Sequence, residues 1–205
     1  MPRGVIDLKG LASVPVRKLA RTAAPAALPF NIRKLGHVVL KVKDLGRSVD
    51  FYAKVLGLKV SDVYPETMMK GGMVFLRCNP DHHCLALIGG AKAPASNREM
   101  HHLAFEVATL DEVVRAREHL RRHRVKIEFD GRRRAGGQGA VEFRDPDNHG
   151  VEIYWNLDQV GSDGRVRPPG EWREELSIEK AIANPPPGQD TTLHDKNLRK
   201  RFGRD

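Results

Sequence analysis

Two histidines and one glutamate have the types and positions that could hold a metal ion. His37 and His102 each precede a short apolar stretch that is typical of a strand, and Glu152 interrupts the apolar run of residues 151–155. A carboxylate in such a run is costly to bury, and a cation removes that cost. Two imidazoles and one carboxylate that leave coordination positions open form the facial triad typical of non-haem Fe(II), and Mn(II) suits the same ligands.

An internal repeat indicates how these residues could meet. The aligned segments are residues 34–42 with 99–107, at an offset of 65, and residues 80–88 with 146–154, at an offset of 66. A repeat of this length predicts two copies of a strand–helix–three-strand module. It places His37 opposite His102, whereas His101, the competing candidate, falls opposite Gly36. If the modules pair about a pseudo-twofold axis, both imidazoles point to equivalent positions on one concave sheet.

The local patterns divide the chain into three parts and predict an α+β fold of two βαβββ modules. Residues 1–32 alternate apolar stretches with Pro, Ala and Arg, which is typical of an extended or mobile N-terminal arm. Residues 33–156 contain the modules, at 33–90 and 98–156. Residues 157–205 are predicted to form a C-terminal extension that wraps the core or a neighbouring subunit.

Hydrophobic periodicity locates the elements of the first module. Strands are predicted at residues 37–42, 72–77 and 84–88, and a helix at residues 48–56 that ends at Gly57. In the extension, residues 171–183 are a candidate short helix.

His82 and His83 precede the last strand of the first module, and either could reach a substrate bound to the metal. An imidazole is a suitable proton carrier at neutral pH. His82 also fits a polar turn, so His83 is the favoured acid–base residue.

Ala86 stands where the second module has Glu152, so the repeat offers three metal ligands and not four.

The composition excludes several classes of partner. The net charge is +9, but the basic excess lies largely in the N-terminal segment and in clusters such as 132–134 and 199–201, without a DNA- or RNA-binding motif. No apolar run is long enough to span a bilayer. We therefore expect no nucleic acid and no membrane partner.

The two cysteines, Cys78 and Cys84, are predicted to be reduced thiols of a cytoplasmic protein.

Four motifs together resemble the type I extradiol catechol dioxygenases of the vicinal-oxygen-chelate superfamily, in its small one-domain branch. The motifs cover about residues 33–156 and read L-G-H-V-V-L-K-V with D-F-Y-A-K-V-L-G-L, F-L-R-C-N-P-D-H-H-C-L-A-L, M-H-H-L-A-F-E-V and F-R-D-P-D-N-H-G-V-E-I-Y-W. The resemblance implies that His37, His102 and Glu152 bind Fe(II) and that His83 is the acid–base histidine. It further implies a small aromatic diol and O2 as substrates, and a homodimer or higher homo-oligomer.

The sequence departs from the family pattern at two positions. Arg133 and Glu142 stand where the family usually has a histidine and a tyrosine that contact the substrate or oxygen-derived intermediates. Arg133 could attract a carboxylated substrate through a charge-assisted hydrogen bond, or could be an exposed residue of a flexible loop. Glu142 could pair with a nearby arginine or face solvent.

Ring cleavage is not the only chemistry that this fold supports. A glyoxalase-like lyase or isomerase commonly uses a fourth ligand from the first module, and Ala86 argues against it. A small-molecule-binding resistance protein of this fold needs no metal triad, so His37, His102 and Glu152 argue against that alternative. Thiol transfer to an epoxide antibiotic is a further alternative, although nothing in the sequence suggests a thiol-cofactor site.

Overall fold

Two four-stranded mixed sheets, each with its own helix, form the α+β fold. The computed structural model describes residues 6–23, 25, 29–30, 32–160 and 164–203. The first sheet has the strand order β1-β4-β3-β2 and consists of β1 (Val38–Lys41), β2 (Lys59–Tyr64), β3 (Met73–Arg77) and β4 (Leu85–Ile88). The second has the order β5-β8-β7-β6 and consists of β5 (Leu103–Glu106), β6 (Ile127–Arg132), β7 (Gly139–Arg144) and β8 (Gly150–Trp155).

The predicted duplication is confirmed by the strand pairing. In each sheet the first strand pairs parallel with the last, and the remaining pairs are antiparallel. A parallel pair needs a crossover, and in both modules a helix follows the first strand. The first module has α3 (Leu45–Asp50), continued by a π-helical turn at Phe51–Val55, and the second has α4 (Leu110–Arg122).

Capping residues determine where these helices begin. The Asp44 side chain accepts a hydrogen bond from the backbone N–H of Arg47 at 2.9 Å, so α3 begins three residues before the predicted start at residue 48. Thr109 and Glu112 form a reciprocal capping box at the start of α4. Gly57, with φ of 76°, ends the first helix as predicted.

One apolar core runs through both modules on the helix side of the sheets. The Phe51 and Phe143 rings, one from each module, have centroids 6.4 Å apart. Side chains alternate along β8, so Val151 and Ile153 face this core while Glu152 faces the opposite side of the sheet. The side of each sheet away from the helices is therefore the one that carries the candidate ligands.

The β7–β8 turn of the second module is hydrogen-bonded to α3 of the first and to the residues on either side of that helix. Asp145 accepts hydrogen bonds from the Tyr52 hydroxyl at 2.9 Å and contacts the His149 ring nitrogen at 3.0 Å. Asp147 accepts from the Ser48 hydroxyl at 2.9 Å and from the backbone N–H of Lys43 at 3.1 Å. Both carboxylates are buried, and these donors satisfy them. The turn therefore fixes the two modules relative to each other.

The N-terminal arm differs from the extended segment that its composition predicts. It contains two short helices, α1 (Leu8–Leu11) and α2 (Val14–Ala20), neither of which has a buried residue. The Asp7 side chain caps α1, and a proline in the first turn suits the start of α2. Residues 1–5, 24, 26–28 and 31 of the predicted arm lie outside the described residues.

The C-terminal extension packs against the second module. Its helices are α5 (Ile178–Ala183) and α6 (Lys196–Arg201), so the candidate helix at residues 171–183 begins later than predicted, at a Ser177 cap. Before α5, Glu175 forms an antiparallel bridge with Arg132 at the outer edge of β6. No described helix has the length and apolar character needed to cross a membrane.

The basic cluster at residues 132–134 is not a free cationic surface. Arg132 is buried and donates to the carbonyl oxygens of Ala181 and of Asn184, the latter at 2.9 Å. Arg134 pairs with Glu174 at 2.9 Å. Two of the three charges therefore attach the extension to the second module.

The hydrogen bonds between the β7–β8 turn and the first module can be tested by substituting two aspartates that occupy equivalent positions in the repeat. Asp147→Ala removes a buried acceptor of several hydrogen bonds, and we expect the free energy of unfolding to fall by about 2–3 kcal/mol. Asp81→Ala is the control, because Asp81 is the counterpart of Asp147 in the first module and its side-chain partners there, Lys34 and Asn79, are exposed. Urea unfolding followed by circular dichroism should show a large shift for the first variant only, and equal shifts would contradict the assignment.

Candidate functional site

Glu152 is the most buried member of the predicted triad. Its side chain is 4% exposed, and its Oε1 atom is buried without a hydrogen-bond partner among the described residues. Burial, followed by the neighbouring Glu142 carboxylate, raises the pKa of Glu152 above the usual range of a glutamate. A buried carboxylate oxygen without a donor is the environment that a cation would stabilise, so this residue fits a metal ligand.

His102 lies against the other oxygen of this carboxylate. Its Nε2 atom is 3.0 Å from Glu152 Oε2, while its Nδ1 is 2.7 Å from the Nδ1 of His101. Gly150 permits this placement, because a Cβ atom there would come within 2.2 Å of the His101 carbonyl oxygen and 3.0 Å of the His102 Cβ. The contact with Glu152 thus belongs to His102, the residue that the repeat alignment favours.

His37 and His83 form a second pair, on the first module. Their ring centroids are 4.6 Å apart, and the His83 ring also packs on Phe75 at 5.1 Å. Partial burial, followed by the neighbouring His37 and His82, lowers the pKa of His83. This direction keeps the imidazole of His83 neutral at pH 7, which is the form that accepts a proton.

His82 extends the second pair toward β2. Its Nδ1 atom lies 3.0 Å from the Nδ1 of His83, and its Nε2 atom lies 2.8 Å from the Asp62 carboxylate. The imidazole of His82 is exposed, but it is held between a carboxylate and the neighbouring imidazole.

The predicted ligands are thus present as two pairs. His102 contacts Glu152, and His37 contacts His83, but within the described part of the chain no three His, Cys, Asp or Glu side chains lie close enough to hold a metal ion. The convergence of His37, His102 and Glu152 on one cation stays a prediction.

Arg133 and Glu142 form a two-pronged ion pair beside Glu152. The Nε and Nη2 atoms of Arg133 donate to the two carboxylate oxygens of Glu142 at 2.8 and 2.9 Å, and its guanidinium lies 3.7 Å above the centre of the Phe129 ring. Glu142 is directly opposite Glu152 in the β7–β8 ladder. Glu142 therefore pairs with a nearby arginine and does not face solvent alone, which were the two alternatives for this residue.

A cavity of about 200 Å³ lies over this part of the second sheet. The lining residues that bear on the site are His101, His102, Phe129, Arg133, Glu142 and Gly150. The first module contributes an apolar surface on the same side of its sheet as His37, formed by Met73, Phe75 and Ala86. The second sheet therefore has charged groups on the face of its candidate ligands, and the first sheet has an apolar surface on its corresponding face.

A larger cavity, of about 360 Å³, lies elsewhere, at the edge of β1. It is bounded by Val39, Lys41, Met100 and His149 and includes none of the residues predicted to bind metal or substrate. The smaller cavity is lined by His102, Arg133 and Glu142, so we place the second module's part of the candidate site there.

Three residues of this site are missing from the sequence-based prediction. Phe129 lies under Arg133, Asp62 holds His82, and Gly150 makes room for His102. Only Gly150 has a signal in the sequence, since a glycine at the start of a predicted strand suggests a close backbone approach. The other two depend on contacts between strands that periodicity does not define.

Comparison with known proteins is consistent with this fold. The family model described as Glyoxalase/Bleomycin resistance protein/Dioxygenase superfamily matches residues 34–153. A solved glyoxalase/dioxygenase from Nostoc punctiforme covers 67% of this chain and 100% of its own, with a TM-score of 0.51 and 24% identity, which shows the fold alone.

Two curated relatives differ in what their names say they do. Biphenyl-2,3-diol 1,2-dioxygenase of Paraburkholderia xenovorans (strain LB400) is 43% identical over 82 residues, which are 38% of this chain and 26% of the relative. The chain thus matches about a quarter of that dioxygenase's length. Lactoylglutathione lyase of Escherichia coli O157:H7 is 28% identical over 130 residues, 61% of this chain and 94% of that enzyme.

The family match spans more than half of the chain, and both described sheets have the duplicated arrangement with helices on one side. The chain belongs to the Glyoxalase/Bleomycin resistance protein/Dioxygenase superfamily.

Proposed function

We propose that this protein is an extradiol ring-cleaving dioxygenase that acts on a catechol-like aromatic diol with non-haem Fe(II) and O2. The observation that carries the proposal is the buried Glu152 carboxylate, which has one oxygen without a partner and the other beside His102. His37, His102 and Glu152 would hold the metal, and Mn(II) is the alternative ion for this donor set. Bound Fe(II) would supply the electron transfer that lets dioxygen react with an electron-rich ring.

The residues around this donor set have separate tasks. The apolar surface of Met73, Phe75 and Ala86 would receive the aromatic ring and exclude water from it. His83, on the same side as His37, would exchange a proton with a diol hydroxyl, and His82 would contact the substrate beside it.

Arg133 and Glu142 would set the preference for ring substituents. A carboxylate on the ring could replace the Glu142 carboxylate as the partner of Arg133, since both groups match the guanidinium geometry. An uncharged diol would leave the ion pair intact. We propose that Arg133 gives preference to diols with an anionic substituent on the side that faces the second module.

A glyoxalase-like lyase or isomerase is the second candidate, because the similarity to lactoylglutathione lyase extends over nearly all of that enzyme. The absence of a fourth ligand at Ala86 favours ring cleavage. Oxygen consumption with a catechol separates the two, since only ring cleavage consumes O2. A cytoplasmic location and a homo-oligomeric state remain predictions.

The metal ligands can be tested without a substrate. We expect Glu152→Ala and His102→Ala to weaken Fe(II) or Mn(II) binding by about tenfold or more, because each removes a donor atom. His101→Ala is the matched control and should retain the ion. Anaerobic titration followed by metal analysis gives the stoichiometry, and selective loss of metal in the His101 variant would mean that the neighbouring histidine is the ligand.

The role of His83 is tested by comparing kcat with metal content. His83→Ala should lower kcat for oxygen uptake with catechol or 2,3-dihydroxybiphenyl by about 100-fold or more while the metal stays bound. His82→Ala should act mainly on KM. Loss of metal from the His83 variant would show that His83 binds the ion instead.

Two substitutions that should change KM in opposite directions test the Arg133–Glu142 ion pair. Arg133→Gln should raise KM for 2,3-dihydroxybenzoate by about tenfold or more, because the two-pronged charge-assisted contact is lost, and should change KM for catechol little. Glu142→Gln releases Arg133 from its partner and should lower KM for the same acid. Equal effects on the charged and uncharged diols would contradict a role in substrate selection.

A further inference from the structure

The two cysteines lie side by side at the base of the turn that carries His82 and His83. Cys78 directly follows β3, and Cys84 directly precedes β4. Both are free thiols, and their Sγ atoms are 3.2 Å apart. A disulfide requires about 2.05 Å, so an approach of roughly 1 Å would join them.

The two thiols are not equivalent. Cys78 is exposed, whereas Cys84 is partly covered. Burial and the neighbouring Cys78 raise the pKa of Cys84 to about 11, so Cys84 stays protonated at neutral pH. An oxidant arriving from solvent therefore meets Cys78 first, and Cys84 is in place to react with the product.

Cys84 is also fixed to the strands beside the candidate site. Its backbone N–H donates to the Leu76 carbonyl oxygen at 2.9 Å, and its own carbonyl oxygen accepts from the Val38 N–H at 3.0 Å. Val38 follows His37, and His83 precedes Cys84. A bond from Cys78 to this anchored residue would close a ring that contains both turn histidines.

We propose that Cys78 and Cys84 are a modification site for hydroperoxides, at which they form a reversible disulfide that fixes the turn carrying His82 and His83. The effect on turnover rests on the proposed function, whereas formation of the bond does not.

The reaction takes place in two steps. The Cys78 sulfur attacks one peroxide oxygen, the O–O bond breaks, and Cys78 becomes a sulfenic acid as water or an alcohol leaves. The Cys84 sulfur then attacks the sulfur of that sulfenic acid, and the S–S bond forms as the hydroxyl leaves with the Cys84 proton as water. Two thiols lose two electrons to one hydroperoxide, and exchange with a dithiol restores them.

Mass spectrometry tests the bond directly. The full chain is treated with hydrogen peroxide, alkylated and digested with trypsin, which is expected to leave both cysteines in one peptide, residues 78–92. We expect that peptide to be about 2 Da lighter than the reduced form and not alkylated, and dithiothreitol should reverse the change. Two alkylated cysteines after treatment, or a disulfide between chains, would overturn the proposal.

Single variants separate the two steps. Cys84→Ser should stop at a sulfenic acid on Cys78 that dimedone traps, and Cys78→Ser should give neither a trapped sulfenic acid nor a disulfide. Dimedone labelling at Cys84 in the Cys78 variant would reverse the order of attack and overturn the assignment.

Hydrogen exchange and oxygen uptake test the consequence. Exchange at residues 79–83 should slow after oxidation, whatever the protein catalyses, and unchanged exchange would overturn the claim that the bond fixes the turn. If ring cleavage is the activity, oxidation should lower kcat by about tenfold or more, since small displacements of a reacting group are costly. Slowed exchange without any oxygen uptake before oxidation would count against the proposed function alone.

Discussion

Two buried carboxylates in one turn hold the halves of this molecule together. Asp145 and Asp147 belong to the second module, yet their donors include Tyr52 and Ser48 of the first. A buried carboxylate tolerates little displacement from its donors, because each lost hydrogen bond leaves a charge uncompensated. The position of one concave surface relative to the other follows from these contacts, and any site shared between the modules depends on them.

The duplication is therefore not symmetric in its chemistry. In the repeat alignment, Ser48 of α3 and Tyr52 of the π-helical turn after it correspond to Val113 and Arg117 of α4. Arg117 is buried and binds Asp130 and Glu179, so it serves the second module and the C-terminal extension. The corresponding turn of the first module therefore receives no such hydrogen bonds from α4, and it carries His82 and His83 instead. One turn fixes the modules relative to each other, whereas its counterpart carries the proposed acid–base histidine.

Periodicity and the repeat predicted the fold because each module is built from local patterns. The apolar run around Glu152 belongs to a strand, in which Val151 and Ile153 pack in the core and Glu152 lies on the opposite face. The charge pattern of residues 132–134 does not indicate that Arg132 is buried, since that burial depends on carbonyl groups about 50 residues later. The pairing of Arg133 with Glu142 likewise depends on the register of β6 and β7, which composition does not specify.

The extension has one more effect, at the rim of the second sheet. Glu175 pairs with Arg132 at one end of the outer edge of β6. In contrast, β2, the outer strand of the first sheet, has no further strand beside it among the described residues and exposes Val60 and Val63. Exposed strand edges are where chains can join by adding backbone hydrogen bonds. Because the chain's own tail covers the Arg132 end of β6, strand addition is less hindered at β2 than at that end of β6.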